Sequence, residues 1–271
     1  MRIGIVGGGV MGRLFLNYIR AGELPDAQVV AVAGRNVRSK GKLLADEFKV
    51  PFTVGLEALL AQKPEVVIES AGHDAVREYG EALLTHGISF IVLSGGVLAD
   101  DALRARLEAA AAQHKALLYV PSGGIGGLDA LKAVNAAGIE SVTIVVTKPA
   151  IAWKGIPYVE KMGFDMDKIT GPTVLYEGPV RQGAGYFPAN VNIAAVLSLA
   201  GIGFDRTMMK VVADPALKFN THTIEIKGKT GSVSLRFENV PAPENPKTAW
   251  LACYSALAAL KELKGTVRYG T

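Results

Sequence analysis

Residues 1–12, MRIGIVGGGVMG, contain the pattern that decides the fold. The apolar run at 3–6 is typical of a buried parallel strand, and apolar residues recur at helical spacing over 13–20. Between them the spacing G-x-G-x-x-G permits a tight turn, backbone approach to a pyrophosphate and close helix packing. The N-terminus of the helix would face the anion. The stretch predicts a dinucleotide site formed by Gly7, Gly9, Val10, Met11 and Gly12.

The composition is that of an ordinary soluble protein. The chain has 271 residues, of which 49% are hydrophobic and 20% charged. The net charge of +4 is spread along the chain, which favours a basic pocket for a small anion over a nucleic-acid surface. The single cysteine, Cys253, excludes an internal disulfide and a zinc cluster of cysteines, and fits a reducing, cytoplasmic location. No apolar run reaches about 18 residues, so we expect no membrane span.

Apolar strand-like runs alternate with helical patterns through the first 120 residues. This alternation predicts right-handed βαβ units and an α/β Rossmann domain over 1–120, to which a C-terminal helix within 246–271 returns. After Pro121 strand patterns dominate. Residues 121–245 are therefore predicted to form an α+β domain with a mostly antiparallel sheet, used for substrate binding and oligomerisation.

The end of the second predicted strand bears on the choice of cofactor. An Asp or Glu at this position would accept hydrogen bonds from the adenosine ribose of NAD, but here the strand runs into Arg35 and Asn36. These side chains could hold a 2′-phosphate, which favours NADP, or use of both NADP and NAD, over strict use of NAD. Solvated charge at a helix start is the alternative.

Two further loops follow predicted parallel strands, where a nicotinamide ring would lie. Ala71, Gly72 and His73 follow one strand, and Ser94 and Gly95 follow the next. We expect these residues to contact the cofactor. A polar loop histidine and simple turn geometry are the alternatives.

Polar residues of the second domain are candidates for substrate binding. Ser122 lies in a glycine-rich loop that could equally be a hinge, and Asn190 and Asn192 precede a helix that either could cap. Lys247 and Thr248 offer a cation and a hydroxyl, although they too could be a surface lysine and a cap. His222, in the run Asn220-Thr-His, can donate and accept protons near pH 7, but a lone histidine is more often structural.

Several motifs together make the chain resemble the L-aspartate dehydrogenase family. They are the first glycine motif, ESAGHDAV (69–76), PSGGIGGLDAL (121–131), FPANVNIAA (187–195), the run from Ala213 to His222, and ENPKT (244–248). The resemblance implies a Rossmann domain, a substrate domain with an oligomerisation face, a catalytic histidine at His222, and cofactor contacts at Gly124 and Asn190. The chain departs from the family pattern at Arg35, His73, Gly95 and Gly124.

The leading hypothesis is NAD(P)-dependent oxidation of L-aspartate to iminoaspartate, followed by hydrolysis to oxaloacetate and ammonia, and the reverse reductive amination. Ser122, Asn192, Asn220, Lys247 and Thr248 are the predicted substrate residues, His222 is the acid/base group, and no metal is needed. The resemblance implies a homodimer or higher homo-oligomer and, for some members, delivery of iminoaspartate to NAD biosynthesis. Another small oxo or imino acid as substrate, and a non-catalytic NADP-binding protein, are the alternatives.

Overall fold

The computed structural model describes residues 1–188, 191–242, 245–267 and 269, without the side chains of 245–248 and 264. The chain forms two compact units. Of the described residues, the first contains Met1–Pro121 and 255–267, and the second contains Ser122–Tyr254 and Tyr269.

The first unit alternates strands and helices along the chain. Its elements are β1 (Arg2–Val6), α1 (Val10–Arg20), β2 (Gln28–Gly34), α2 (Lys40–Phe48), β3 (Phe52–Val54), α3 (Leu56–Leu60), β4 (Val66–Glu69), α4 (His73–Thr85), β5 (Ser89–Val92), α5 (Asp101–Gln113) and β6 (Leu118–Tyr119).

These six strands form one sheet with the order β3-β2-β1-β4-β5-β6, and every neighbouring pair is parallel. This order is that of a doubly wound sheet, and it confirms the predicted Rossmann fold. Ile5 and Ile68 on adjacent strands are fully buried and belong to a core that includes Phe15 of α1. Because helices cover both faces, the strands need apolar side chains at successive positions, which is the pattern that the sequence shows.

The strand order reverses beside β1, where β2 lies on one side and β4 on the other. Val6 at the end of β1 is in register with Ala33 of β2 and with Glu69 of β4. The carboxyl ends of three strands therefore lie at one level, which is where open α/β sheets bind their ligands.

The second unit contains helices, a five-stranded sheet and a two-stranded ribbon. Its elements are α6 (Leu128–Ala137), β7 (Ile139–Lys148), α7 (Pro157–Lys161), β8 (Thr173–Pro179), α8 (Val180–Tyr186), α9 (Asn192–Ala200), β9 (Thr207–Ala213), β10 (Asn220–Gly228), β11 (Gly231–Asn239), β12 (Pro241–Ala242), β13 (Asn245–Ala249) and the first residues of α10 (Trp250–Lys264).

The larger sheet has the order β11-β10-β7-β9-β8. Three of its pairings are antiparallel, as predicted, while β7 and β9 pair in parallel. Parallel neighbours need a long crossover connection, and the connection between β7 and β9 contains α7, β8, α8 and α9.

The C-terminal helix is shorter than the predicted range 246–271, because Asn245–Ala249 pair with Pro241–Ala242 as strands and the helix begins at Trp250. Ala256, Leu257 and Leu260 of this helix are buried in the same core as β1. Its sequence ALAAL carries the apolar surface that this packing requires.

Candidate active site

A cavity of about 610 Å³ lies at the carboxyl ends of β1, β2 and β4, a size typical of a ligand site. Its wall includes five of the predicted cofactor residues: Gly7, Gly9, Arg35, Asn36 and Ala71. The remaining predictions in this unit lie in adjacent segments. Val10, Met11 and Gly12 form the first turn of α1, Gly72 and His73 lead into α4, and Ser94 and Gly95 follow β5.

The glycine turn is shaped for a close ligand. Gly7 has a φ of 111°, which favours glycine, and a Cβ on Gly8 would lie 2.1 Å from the backbone nitrogen of Gly41. A Cβ on Gly9 would meet no atom within 4 Å, so the backbone there faces open space. The first turn of α1 contains no acidic residue. The turn and helix N-terminus therefore fit a pyrophosphate.

The segment after β2 adds positive charge to the cavity wall and contains a buried serine hydroxyl. Arg35, Arg38 and Lys40 line it, and the Arg35 guanidinium lies 3.6 Å from the Asp74 carboxylate. The Oγ of Ser39 is buried and has no hydrogen-bond partner among the described residues. These groups fit a phosphate next to the Arg35 side chain. The sequence prediction missed Ser39, because a serine before a helix is ordinarily a cap, but this one makes no cap hydrogen bond.

The carboxylate of Glu69, at the end of β4, organises two of the predicted cofactor loops. One oxygen accepts hydrogen bonds from the backbone N–H groups of Ala71 and Gly72, both at 2.7 Å. Ser94 donates its hydroxyl to the same oxygen and its backbone N–H to the other. Burial raises the pKa of Glu69, and these hydrogen bonds oppose the shift.

Sequence reasoning did not identify Glu69 as the residue that connects these two loops. The available signal was a carboxylate that closes an otherwise apolar strand, Val66–Glu69, at the ligand-binding edge of the sheet. Half-buried His73 begins α4 directly after the loop that Glu69 holds, and buried Gly95 begins a short 3₁₀ turn beyond Ser94.

In the second unit, His222 lies near the start of β10 and is 3% exposed. The side-chain nitrogen Nδ2 of Asn239, on the neighbouring strand β11, lies 3.1 Å from Nδ1 of His222. The same nitrogen donates a hydrogen bond of 2.8 Å to the backbone oxygen of Gly124. A Cβ on Gly124 would approach Ile193 Cδ1 to 3.0 Å, so this loop packs tightly. His222 is thus held by a partner that the sequence did not reveal.

A buried lysine shares this end of the sheet. His222 is in register with Val146 of β7, and Lys148 follows two residues later on the same face. Lys148 Nζ lies 5.1 Å from the centre of the Trp153 ring, and burial lowers the pKa of Lys148 to about 8. Burial, and then the charge of Lys148, lower the pKa of His222 to about 4. The imidazole is therefore neutral near pH 7.

The structure describes only some of the other predicted substrate residues. Asn220 is buried and pairs with Asn239 across β10 and β11, and Ser122 is half-buried before α6. Asn192 is the first residue of α9, where Val191 holds the cap position, so capping does not explain it. Asn190 lies outside the described residues, and so do the side chains of Lys247 and Thr248.

The described residues contain neither a membrane-spanning helix nor a cluster of metal-ligating side chains. Within 1–188, 191–242 and 245–267, no helix is long and apolar enough to cross a bilayer. Over the same described part of the chain, no three His, Cys, Asp or Glu residues are grouped so that they could hold a metal ion.

The doubly wound sheet and its glycine-lined cavity define a nicotinamide dinucleotide-dependent oxidoreductase with a second, mixed-sheet unit. Residues 7–121 match the family described as homoserine dehydrogenase, NAD binding domain, and residues 129–263 match aspartate dehydrogenase, C-terminal.

Whole-chain relatives make the family more specific. The chain is 43% identical to an L-aspartate dehydrogenase of Methanosarcina acetivorans over 100% of both chains, and 40% identical to L-aspartate dehydrogenase 2 of Bordetella pertussis over 96% of each. The crystal structure of aspartate dehydrogenase from Thermotoga maritima superimposes with a TM-score of 0.75 at 26% identity, covering 100% of this chain and 99% of that one. The chain belongs to the L-aspartate dehydrogenase family.

Proposed function

We propose that the chain oxidises L-aspartate with a nicotinamide dinucleotide, giving iminoaspartate and then oxaloacetate and ammonia, and that it catalyses the reverse reductive amination. The observation that carries the proposal is the buried group of His222, Asn239 and Lys148 in a chain that also has a dinucleotide cavity. The names of the whole-chain relatives support aspartate as the substrate.

The cofactor would be held by the glycine turn and by the loops that Glu69 organises. Gly7, Gly9 and the first turn of α1 would receive the pyrophosphate, and the loops at 71–73 and 94–95 would flank the nicotinamide ring. When bound, the nicotinamide supplies the hydride chemistry, accepting a hydride from the substrate Cα. Gly124 and Asn190 are further candidates for cofactor contacts, because the family resemblance implies them.

We further propose a preference for NADP. Arg35 and Arg38 line the cavity and offer donors for a 2′-phosphate, and charge-assisted hydrogen bonds to phosphate are the stronger kind. Asp74 opposes this preference, because its carboxylate lies near the Arg35 guanidinium and is of the same sign as the phosphate. The balance between these two charges sets the NADP to NAD ratio.

The substrate is a dicarboxylate, and Lys148 is suited to one of its carboxylates. An ammonium in a buried environment has lost much of its hydration, so a carboxylate brought next to it gains a strong interaction. The approaching negative charge would raise the pKa of Lys148 from about 8, so the lysine would stay protonated in the complex. Ser122, Asn192, Asn220, Lys247 and Thr248 are candidates for the remaining polar contacts.

His222 is the residue to which we assign proton exchange. After the hydride and an amino proton leave, a water molecule adds to the imine carbon and ammonia departs, so protons must be taken up and returned near this carbon. A neutral imidazole at pH 7 can exchange such protons without first being deprotonated.

The two units would have different roles in binding. Residues 1–120 with the C-terminal helix would bind the dinucleotide, and 121–245 would bind the substrate and form the contact in a homodimer or larger homo-oligomer. The homo-oligomer is what the family resemblance implies for this unit.

Steady-state kinetics with oxaloacetate and ammonia, using NADH and NADPH in parallel, test the proposed reaction. We expect turnover with oxaloacetate to exceed that with other 2-oxo acids of similar size. No turnover of oxaloacetate together with rapid turnover of another oxo acid would contradict the proposed substrate. Binding of NADPH without oxidation by any dicarboxylate would favour a non-catalytic role.

A further inference from the structure

The side-chain amide of Asn239 has only one orientation that its surroundings accept. Its Nδ2 lies 2.8 Å from the backbone oxygen of Gly124. If the amide were rotated by half a turn, Oδ1 would face that carbonyl oxygen, and two acceptors would meet in a buried place. The Gly124 carbonyl therefore requires the NH₂ group on this side.

The orientation of the amide decides the protonation of the imidazole. The same Nδ2 lies 3.1 Å from Nδ1 of His222, and an amide NH₂ can only donate. Nδ1 must therefore be the acceptor, and in the neutral ring the proton is on Nε2.

We propose that Asn239 is a positioning residue that holds His222 in the Nε2–H tautomer, with the Gly124 carbonyl fixing the amide. The inference deepens the proposed function, since it rests on His222 as the proton-exchanging residue. It links three segments, the loop before α6, the strand β10 and the end of β11, in one hydrogen-bonded chain.

The tautomer determines whether His222 presents a hydrogen-bond donor or an acceptor to a substrate. Through Nε2 it presents a hydrogen-bond donor, which fits a carboxylate, carbonyl or hydroxyl oxygen. A neutral ring can accept a proton only at its unprotonated nitrogen, here Nδ1, and the Asn239 amide occupies that position. The resting His222 therefore donates a hydrogen bond through Nε2, and uptake of a proton at Nδ1 requires the contact with Asn239 to break.

The direct test is long-range ¹H–¹⁵N correlation NMR of the full chain labelled with ¹⁵N-histidine, without substrate. The chain has four histidines, and His222→Gln identifies the signals of His222 by their loss. We expect the wild type to show Nε2 in the protonated chemical-shift range and Nδ1 in the unprotonated range. A resting His222 with its proton on Nδ1 would overturn the proposal.

Two variants sharpen the test. Asn239→Asp replaces the donor with an acceptor and should move the proton to Nδ1, whereas Asn239→Leu should leave a mixture of tautomers. Asn135→Leu is the matched control, because Asn135 also donates to a backbone carbonyl, that of Gly201, on other elements of the same unit. It should leave the His222 spectrum unchanged. An Nε2–H spectrum that survives in folded Asn239→Asp and Asn239→Leu would contradict the role of Asn239.

The kinetic readout separates a positioning role from a structural one. In Asn239→Leu we expect kcat to fall roughly 10- to 100-fold while the dissociation constant of the dinucleotide changes little. Unfolding of a variant would not leave the question open, because the wild-type spectrum alone decides the tautomer. If the spectrum is as expected and oxaloacetate is not turned over, the proposed reaction fails while the tautomer assignment stands.

Discussion

The carboxylate of Glu69 accepts two hydrogen bonds from Ser94, one from the hydroxyl at 2.9 Å and one from the backbone N–H at 3.1 Å. Both residues are buried, and they connect the ends of the adjacent strands β4 and β5. The same carboxylate holds the loop that leads into α4. One side chain therefore sets the positions of two loops to which we assign the nicotinamide end of the cofactor.

Replacing Glu69 with glutamine should weaken dinucleotide binding. The Gln amide has one acceptor oxygen instead of two, so at least one buried N–H loses its partner, at about 1–3 kcal/mol. We expect the dissociation constant of NAD(P)H, measured by fluorescence titration, to rise roughly 10-fold or more. Ser94→Ala removes only the hydroxyl contact and should have a smaller effect. Equal effects of the two variants would contradict the assignment of Glu69 as the organising group.

Replacing Arg35 with alanine should weaken NADPH binding more than NADH binding. The lost charge-assisted contact to a 2′-phosphate corresponds to about 1.5–3 kcal/mol, while NADH has no phosphate there. Asp74→Asn is the counterpart, since it removes the carboxylate near Arg35 and should strengthen NADPH binding. Kd values for both cofactors provide the measurement. An unchanged NADPH to NADH ratio in Arg35→Ala would refute the phosphate assignment.

His222→Ala should lower kcat far more than it lowers cofactor affinity. Removal of an acid/base group typically lowers the rate about 10²- to 10⁴-fold, and His222 belongs to a unit that does not contain the glycine turn. His86→Ala is the control, because His86 is exposed on the first unit and its Nδ1 lies within hydrogen-bond distance of the backbone oxygen of Ala82, one turn earlier in the same helix. Similar losses in kcat and in dinucleotide affinity would contradict the proton-exchange role.

Lys148→Met should stabilise the fold at pH 7 while raising KM for the dicarboxylate. Burial lowers the pKa of Lys148 to about 8, so at pH 7 the folded protein holds a desolvated charge. Removing it should raise the free energy of unfolding by about 1–3 kcal/mol, part of which is offset by the lost contact with Trp153.

The sign of the pH dependence checks that explanation. Between pH 8 and 10.5 the unfolded chain keeps the Lys148 proton and the folded chain loses it, so wild-type stability gains with rising pH. The advantage of Lys148→Met in urea unfolding should therefore shrink over this interval. A constant advantage would show that the charge of Lys148 is not its cause.

The buried histidine predicts a second pH dependence. The pKa of His222 is about 4 in the fold and about 6.5 when unfolded, so between these values only the unfolded chain takes up the proton. The stabilising contribution is complete above pH 6.5 and is lost as the pH falls toward 4, at up to about 1.4 kcal/mol per pH unit. Urea unfolding of wild type and His222→Gln should diverge in this interval. Parallel pH profiles would contradict the shifted pKa.

The architecture of the first unit could be predicted because its signals are local. Gly7, Gly9 and Gly12 are close in the chain, and the strand and helix periods are visible within about ten residues. Short elements such as β3, α7 and α8 carry a weaker signal, because three to seven residues are too few to establish a period.

The sequence predicted some residues of the candidate site and not others, because the two groups depend on different kinds of information. His222, Arg35 and the loop at 71–73 follow from position at strand ends and from the family resemblance. Ser39, Glu69, Lys148 and Asn239 gain their roles from burial and from partners that are distant in the chain. Asn239 and Gly124, for example, are 115 positions apart.

The sequence by itself determined the dinucleotide fold, the two-part organisation and the presence of a histidine in the second unit, since these depend on spacing between near neighbours. Only the tertiary structure decided the pKa values and the hydrogen-bond directions of the site residues. Burial sets the pKa of Lys148 and His222, and a backbone oxygen at Gly124 orients the Asn239 amide. Desolvation and hydrogen-bond direction are properties of the folded environment, so no pattern of residue types along the chain specifies them.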